Sequence, residues 1–239
     1  MTAASALAEA ARRDGRLRLA VIASGQGTNL QALLDAIATG TLDAHIVGVF
    51  SDRPGAGALQ RARDAGLSEA CLRPADFTSR LEHDQALFDA VDSAAPDLVV
   101  CAGYMRLISQ PQVERMAGRM INIHPSLLPA FKGLRTHEQA LAAGAPVHGA
   151  SVHFVSAELD GGAVIAQARV PVLEGDAAAA LARRVLEREH PLLVATVRLF
   201  VQGRLALREG RVSLDGDPVH APLQLGPDNR LAMTHATPL

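Results

Sequence analysis

Short apolar runs alternate with helical segments along the first half of the chain, and this alternation restricts the fold more than any other feature. The runs LRLAVIAS, AHIVGVFS, DLVVCAG and RMINIH are rich in aliphatic residues and have the length of buried strands. Between them lie stretches with apolar residues at helical spacing, closed by glycine or proline. Strands covered on both faces and linked through helices form parallel sheets with right-handed crossovers. The sequence therefore predicts an α/β, Rossmann-like fold, with a mostly parallel twisted sheet and helices on both faces.

The pattern changes after Gly144. VHGASVHFVS and AVIAQARVPV follow each other without a helix between them, which predicts an antiparallel pair of strands in the C-terminal part. A long closing helix is predicted over residues 176–203, bent at Pro191, because proline cannot donate a backbone hydrogen bond. RLALREGRVSLDG is typical of a small hairpin.

The domain organisation follows from these patterns. We expect a flexible N-terminal extension over residues 1–16, a single domain over 17–215 and a weakly ordered tail over 216–239. A chain of 239 residues with 49% hydrophobic content suffices for one sizeable core.

Composition restricts the partners and the compartment. With a net charge of −2, no tryptophan and one tyrosine, no affinity for nucleic acid is expected. No apolar run approaches the length of a membrane span. The two cysteines, Cys71 and Cys101, do not form a disulfide framework, and Cys101 is predicted to be a small buried hydrophobe. A reducing cytoplasm fits both thiols. Cysteine and histidine do not cluster at metal-ligand spacing, so no metal is expected.

The segment MINIHPSLLP predicts a reactive site. Asn122 and His124 are two residues apart, so on a strand they point to the same side, and Pro125 ends that strand. An amide and an imidazole at a strand end can hold a developing oxyanion, and the imidazole can also pass a proton. The alternative is that His124 is structural, as a histidine more often is, and the chain has nine of them.

A carboxylate is expected to orient such a histidine. Asp160, in SAELDGGAVI, is the candidate, although Asp-Gly is also an ordinary hairpin turn. His153 is predicted to be a packed strand residue. Four further histidines are predicted to be exposed: His45, His83, His220 and His235.

The glycine-rich segment ASGQGTNLQALL follows the first strand and leads into a helix. Glycines leave backbone amides free there, and a helix start favours a phosphate. A plain glycine turn is the alternative. A dinucleotide site with Asp52 as the ribose acid is a third possibility, but Leu30 stands where that fingerprint needs a glycine. Ligands of such sheets bind outside the carboxyl ends of the strands, so SGQGTN, FSDRPG, CAGYMR and NIHPSLLP are expected to meet.

Several motifs together resemble one enzyme family. SGQGTNLQALL, VFSDRPGAGALQRARDAG, PDLVVCAGYMRLIS, GRMINIHPSLLPAFKGL, HGASVHFVSAELDGGAVIAQARVPV and REH occur in the order found in the phosphoribosylglycinamide formyltransferases. The resemblance runs from about residue 17 to about residue 207. It implies an enzyme of purine biosynthesis that uses 10-formyltetrahydrofolate as cosubstrate, needs no metal and is a monomer or homodimer.

The resemblance also implies roles for residues. The catalytic residues would be Asn122, His124 and Asp160. The residues that bind glycinamide ribonucleotide would be Gly27, Thr28, Asn29 and Glu189. The folate-binding residues would be Arg80, Met105, Arg106, Leu107, Ile108 and Asn122.

Two departures from the family and two rival functions accompany this prediction. Arg135 stands where family members often have histidine, and the Tyr-Pro pair that often follows Glu189-His190 is missing. One rival is a 10-formyltetrahydrofolate hydrolase, which has the same catalytic residues but is expected to carry an extra N-terminal domain. The other is a non-catalytic dinucleotide- or phosphate-binding module, for which Asn122 and Asp160 would be unimportant.

Overall fold

A nine-stranded sheet organises the computed structural model, which describes residues 15–233. Its strands are β1 (Leu17–Ile22), β2 (Ala44–Ser51), β3 (Glu69–Cys71), β4 (Leu98–Ala102), β5 (Met120–His124), β6 (Val147–Phe154), β7 (Val164–Pro171), β11 (Leu223–Leu225) and β12 (Leu231–Ala232). A second, three-stranded sheet consists of β8 (Leu205–Arg208), β9 (Arg211–Leu214) and β10 (Asp217–Pro218).

Six α-helices connect or flank the strands in the described part of the chain. They are α1 (Thr28–Ala38), α2 (Gly57–Asp64), α3 (Arg80–Ser93), α4 (Gln110–Arg115), α5 (Thr136–Ala142) and α6 (Ala178–Val201). A short 3₁₀ helix, Pro74–Asp76, precedes α3.

The strand order confirms the predicted fold class. Across the main sheet it is β12-β11-β7-β6-β5-β4-β1-β2-β3. The strands β3, β2, β1, β4 and β5 are parallel, and β1 lies where the order reverses, between β2 and β4. In open α/β sheets, the carboxyl ends of the strands beside such a reversal form a crevice in which ligands bind. The end of β5 lies two strands, or about 10 Å, from the end of β1.

The antiparallel part agrees with the prediction as well. β6 pairs antiparallel with both β5 and β7. Asn122 lies opposite His153, and His124 lies opposite Ser151. The pairing of β6 with β7 shifts register between Val152 and His153, and such bulges locally re-aim side chains.

Two apolar layers, one on each face of the sheet, explain why the strands are almost uniformly apolar. Leu19 and Val21 of β1 belong to one cluster of buried residues, which includes side chains of α1 and α6. Ala20 and Ile22 belong to another, which includes side chains of α3 and α4. A strand buried on both faces has no polar side, so its sequence shows no alternation. Cys101 is buried in the second layer, as predicted.

The closing helix is continuous, and the tail differs from its prediction. α6 extends through Pro191 without interruption, and the hairpin β8–β9 is present as predicted. Residues 217–232, expected to be weakly ordered, contain three short strands, of which β11 pairs with β7 and β12 with β11. The sheet edge at β7 offers free backbone groups to the tail, which explains the pairing. The predicted N-terminal extension lies almost wholly outside the described residues.

Before β6, one strand and two α-helices were not predicted, namely β3, α4 and α5. β3 has only three residues, and a segment of that length shows no periodicity. Among residues 15–233, no helix is long and apolar enough to cross a membrane. The cytoplasmic location stays a prediction.

Candidate active site

The end of β5 carries the first two candidate residues. Asn122 and His124 both line one cavity, as their spacing predicted. The strand ends at His124, and the amide of Ser126 donates to the His124 carbonyl at 2.9 Å, which turns the chain immediately afterwards. Pro125 lacks an amide hydrogen and assists this turn. His124 is nearly buried, whereas Asn122 is partly accessible.

The imidazole of His124 lies between two oxygen acceptors. Nε2 is 3.1 Å from the carbonyl oxygen of Phe131, and Nδ1 is 3.6 Å from Oδ2 of Asp160. A carbonyl oxygen can only accept, so Nε2 carries a hydrogen. The distance to Asp160 is longer than a hydrogen bond and suits an ion pair or a bridging water. Nε2 thus donates to the Phe131 carbonyl, and Nδ1 faces the Asp160 carboxylate.

Asp160 is positioned by its backbone and by a neighbouring loop. It lies in the loop 155–163 between β6 and β7, with a φ of 46°. The amide of Gly133 donates to Oδ2 at 2.8 Å. The loop has nine residues, so Asp160 does not occupy the two-residue hairpin turn that was the alternative interpretation. The side chain faces the cavity, where it adds a negative charge beside His124.

The amide of Asn122 is oriented by His153. Nδ1 of His153 is 2.8 Å from the carbonyl oxygen of Phe154, so the hydrogen of this ring is on Nδ1. Nε2 then has a free lone pair, to which Nδ2 of Asn122 donates at 3.0 Å. Burial lowers the pKa of His153, which keeps the ring neutral. Its 3.8 Å separation from Asp160 is therefore not an ion pair at neutral pH.

His153 was predicted to be a packed strand residue, and it is buried in β6 as expected. Its contact with Asn122 was not predicted. The contact depends on the antiparallel register of β5 and β6, which places the two residues directly opposite each other. A single sequence does not specify register at this precision.

A cavity of about 440 Å³ contains these side chains. Four segments line most of it: residues 103–108 after β4, 122–125 at the end of β5, 133–137, and the region 153–160. Its size lies within the usual range for small-molecule sites. Among the described residues, no group of three or more His, Cys, Asp or Glu side chains is placed to hold a metal ion.

The glycine loop lies at the start of α1. Gly27 has a φ of 72°, and a Cβ there would approach the Ala58 backbone to 2.6 Å, so both conformation and space require glycine. No side chain caps the helix. Asn29 donates through Nδ2 to Oε2 of Glu189 at 2.9 Å, which joins α1 to α6. Burial raises the pKa of Glu189, and the bond from Asn29 offsets part of this effect.

Comparison with known proteins identifies the family. The formyl transferase family matches residues 17–197. A phosphoribosylglycinamide formyltransferase of Escherichia coli is 46% identical over 200 residues, which are 84% of this chain and 94% of that protein. The chain belongs to the phosphoribosylglycinamide formyltransferase family. A solved phosphoribosylglycinamide formyltransferase from Coxiella burnetii has a TM-score of 0.82 at 42% identity, covering 85% of this chain and 96% of that one.

A formyltetrahydrofolate deformylase is a more distant structural neighbour. The enzyme from Pseudomonas syringae pv. tomato has a TM-score of 0.76 at 24% identity, and the match covers 83% of this chain and 66% of that one. At this identity the likeness concerns the fold alone. The phosphoribosylglycinamide formyltransferase family is therefore favoured over the hydrolase.

Five residues with predicted roles in folate binding follow β4 or begin α3. Met105, Arg106, Leu107 and Ile108 line the cavity next to Asn122. Met105 and Leu107 are 54% and 44% exposed, which leaves two large apolar side chains available to a ligand. Arg80 is exposed at the first residue of α3 and is not part of the cavity lining.

The two departures from the phosphoribosylglycinamide formyltransferase pattern have structural outcomes. Arg135 lines the cavity, precedes α5 with a φ of 57° and lies 3.9 Å from Glu138. After His190 the chain continues with Pro191, Leu192 and Leu193, and both leucines are fully buried in the uninterrupted helix α6.

The four histidines that were predicted to be exposed have different outcomes. His45 and His220 are exposed as predicted, and His235 lies outside the described residues. His83 was predicted to be exposed, which is wrong, because it is fully buried. Its Nε2 contacts the Leu72 carbonyl at 2.9 Å, and its ring packs edge-on against Phe77. These partners lie outside the helix of His83 and leave no periodic signal in its sequence.

Proposed function

We propose that the enzyme transfers the formyl group of 10-formyltetrahydrofolate to the amine of glycinamide ribonucleotide, in purine biosynthesis. The observation that carries this proposal is the convergence of Asn122, His124 and Asp160 in one cavity. The residues fit a folate, because apolar Met105 and Leu107 are exposed beside this polar group.

The reaction needs a site that stabilises an oxyanion. It does not need a nucleophilic residue of the protein, because the substrate amine is the nucleophile. The amine nitrogen attacks the formyl carbon, the new C–N bond forms, and the carbonyl electrons move to oxygen. When the intermediate collapses, the bond to the folate nitrogen breaks, that nitrogen takes a proton, and the attacking nitrogen loses one. The negative oxygen of the intermediate is the species that the protein must stabilise.

Asn122 is suited to donate to this oxygen. Its Nδ2 carries two hydrogens, of which one is directed to His153. The second remains for a ligand. Because neutral His153 accepts from Nδ2, the orientation of the amide is set before the substrate binds, and preorganised donors are the effective ones.

His124 supplies positive charge next to the same position. The Asp160 carboxylate lies 3.6 Å from Nδ1 and would pair with this charge. In the structure, Nε2 is engaged with the Phe131 carbonyl. This uncharged acceptor is a weaker partner than a carboxylate, so the Nε2 hydrogen is the one that an oxyanion would take over.

The proposed site for glycinamide ribonucleotide, which accepts the formyl group, lies at the start of α1 and on α6. The uncapped helix start at Gly27 leaves amides that suit a phosphate, and Thr28 follows it directly. The Asn29–Glu189 pair lies at the same end of the sheet and would contact the ribose and glycinamide groups. A phosphate-binding site favours transfer over hydrolysis, because a hydrolase uses water as the formyl acceptor and water carries no phosphate.

Substitution of Asn122 tests the proposal. Asn122→Ala removes the oxyanion donor, so kcat is expected to fall about 10²–10³-fold. KM for glycinamide ribonucleotide should change little, because the ribonucleotide is held elsewhere. The measurement is steady-state kinetics with both substrates. A kcat within threefold of wild type, in protein with an unchanged circular dichroism spectrum, would contradict the proposed role.

A further inference from the structure

The segment 103–109 joins β4 to α4 without regular secondary structure, yet it provides six residues of the cavity lining. It includes Met105 and Leu107, the exposed apolar side chains on the proposed folate side. A connecting segment lacks the repeating backbone hydrogen bonds that fix the conformation of a helix or a strand. Contacts from elsewhere in the chain must therefore hold these side chains in place.

One end of the segment is held by Ser24. The amide of Ser24 donates to the Gly103 carbonyl at 3.0 Å, and the amide of Met105 donates to Oγ of Ser24 at 3.0 Å. The Ser24 hydroxyl donates in turn to Oδ1 of Asp52 at 2.6 Å. Ser24 and Asp52 are both buried, just beyond the ends of β1 and β2. The start of the segment is thus fixed to two neighbouring strand ends.

The other end of the segment is held by Asp84. The amide of Ser109 donates to Oδ2 of Asp84 at 2.8 Å. Asp84 lies in α3 and is fully buried, and its Oδ1 is 3.2 Å from Nδ1 of His83. Burying a carboxylate is unfavourable unless hydrogen bonds compensate, so the position of Asp84 depends on these partners.

Both carboxylates face the same stretch of chain. Burial raises the pKa of Tyr104, and the charges of Asp84 and Asp52 raise it further. None of Ser24, Asp52 and Asp84 lines the cavity itself. Any effect of these residues on a ligand must therefore pass through the segment that they hold.

We infer that Ser24 and Asp84 are positioning residues, which fix the two ends of segment 103–109 so that Met105 to Ile108 present a preformed surface to the folate. The inference rests on the proposed function and adds residues that do not touch either substrate. A preformed surface avoids the entropy cost of ordering a loop on binding. Loss of either anchor should therefore weaken folate binding selectively.

Asp84→Ala and Ser24→Ala test the two anchors. Each is expected to raise KM for 10-formyltetrahydrofolate and the Kd of tetrahydrofolate about tenfold, as when a hydrogen bond to a charged group is lost. KM for glycinamide ribonucleotide should stay within twofold. Asp84→Asn keeps an oxygen acceptor for the Ser109 amide and should restore most of the folate affinity. Kinetics give KM, and calorimetry with tetrahydrofolate gives Kd.

Asp97→Ala is the matched control. Asp97 is also a buried carboxylate that accepts a backbone amide, that of Arg18 at 2.9 Å, but it precedes β4 and so lies at the amino-terminal ends of the strands, away from the cavity. This variant should lower Tm without changing folate affinity.

Three results would overturn the inference. The first is a lower Tm with unchanged folate Kd in both Ser24→Ala and Asp84→Ala. The second is an equal rise in KM for both substrates. The third is a Kd for Asp84→Asn as high as that of Asp84→Ala. If Asp84→Ala fails to fold, Ser24→Ala decides the first two. A wild-type enzyme that binds no tetrahydrofolate would contradict the proposed function and the inference together, which separates the two failures.

Discussion

At the residue scale, the two ring nitrogens of His124 determine what substitutions should do. One faces the Phe131 carbonyl and the other faces Asp160. Removing the ring removes the group that is proposed to stabilise the oxyanion, whereas removing the carboxylate leaves that group in place without its partner. The two changes should therefore differ in size.

We expect His124→Ala to lower kcat about 10²–10³-fold, the range for lost oxyanion stabilisation. Asp160→Asn should lower kcat less, and the Kd of tetrahydrofolate should stay within a few-fold for both. His45 is exposed, so His45→Ala is the control, and its kcat and Kd should equal those of the wild type. Steady-state kinetics and calorimetry provide the measurements. Near-normal turnover of folded His124→Ala protein would rule out the mechanism.

Glu189 should show a conflict between stability and function. Because burial raises its pKa, the folded state binds a proton more tightly than the unfolded state, and stability is lost as pH rises through the raised value. Glu189→Gln keeps an acceptor for Asn29 and removes the buried charge. Its Tm should exceed that of wild type at pH 8, and the difference should shrink as pH falls towards 4.

The same variant should bind glycinamide ribonucleotide more weakly, seen as a higher KM. Glu187→Gln, on the exposed side of the same helix, should change neither quantity. Thermal denaturation at several pH values tests the first effect. A lower Tm for Glu189→Gln than for wild type at pH 8 would show that the buried charge is compensated, and it would contradict the predicted stabilisation.

Residue spacing predicted Asn122 and His124 on one side of a strand, because a strand repeats every two residues. It did not predict the contact of His153 with Asn122 or the burial of His83, because both depend on partners from other elements. The same limit applies to Asp160, for which the sequence left a turn and an orienting carboxylate equally open.

At the element scale, the sheet edge explains the tail. Leu223 is 1% exposed in β11, and Arg188 of α6 donates to the Gly226 carbonyl at 2.8 Å and to Oδ1 of Asn229 at 3.0 Å. A polar, proline-containing sequence predicted weak order, since a two- or three-residue strand shows no periodicity. What places the strand is the unpaired edge of β7, which is a property of the assembled sheet.

Leu223→Ala should therefore lower the free energy of unfolding by about 2 kcal/mol or more, the usual cost of truncating a buried leucine. Leu173→Ala, at a position that is 52% exposed, is the matched control and should cost far less. Chemical denaturation measures both. Equal and small effects would mean that the tail does not contribute to the folded core.

At the scale of the whole molecule, the parallel strands place the predicted segments at the same end of the sheet, beyond the carboxyl ends of the strands. The apolar runs were sufficient to predict a parallel sheet. The rule that ligands bind at carboxyl ends predicted a common site, and the cavity is lined by residues of CAGYMR and NIHPSLLP but by none of SGQGTN or FSDRPG. The order of strands was not predictable, because runs that are all buried look alike. That order places the end of β1, after which the glycine loop begins, about 10 Å from the end of β5.

The fate of the formyl group tests the central claim most directly. The enzyme is given 10-formyltetrahydrofolate labelled in the formyl carbon, first alone and then with glycinamide ribonucleotide. A transferase gains by excluding water, because water would waste the activated formyl group. The account predicts rapid formation of tetrahydrofolate only with the ribonucleotide, and label on its amine. Free labelled formate, released at the same rate with and without the ribonucleotide, would contradict it.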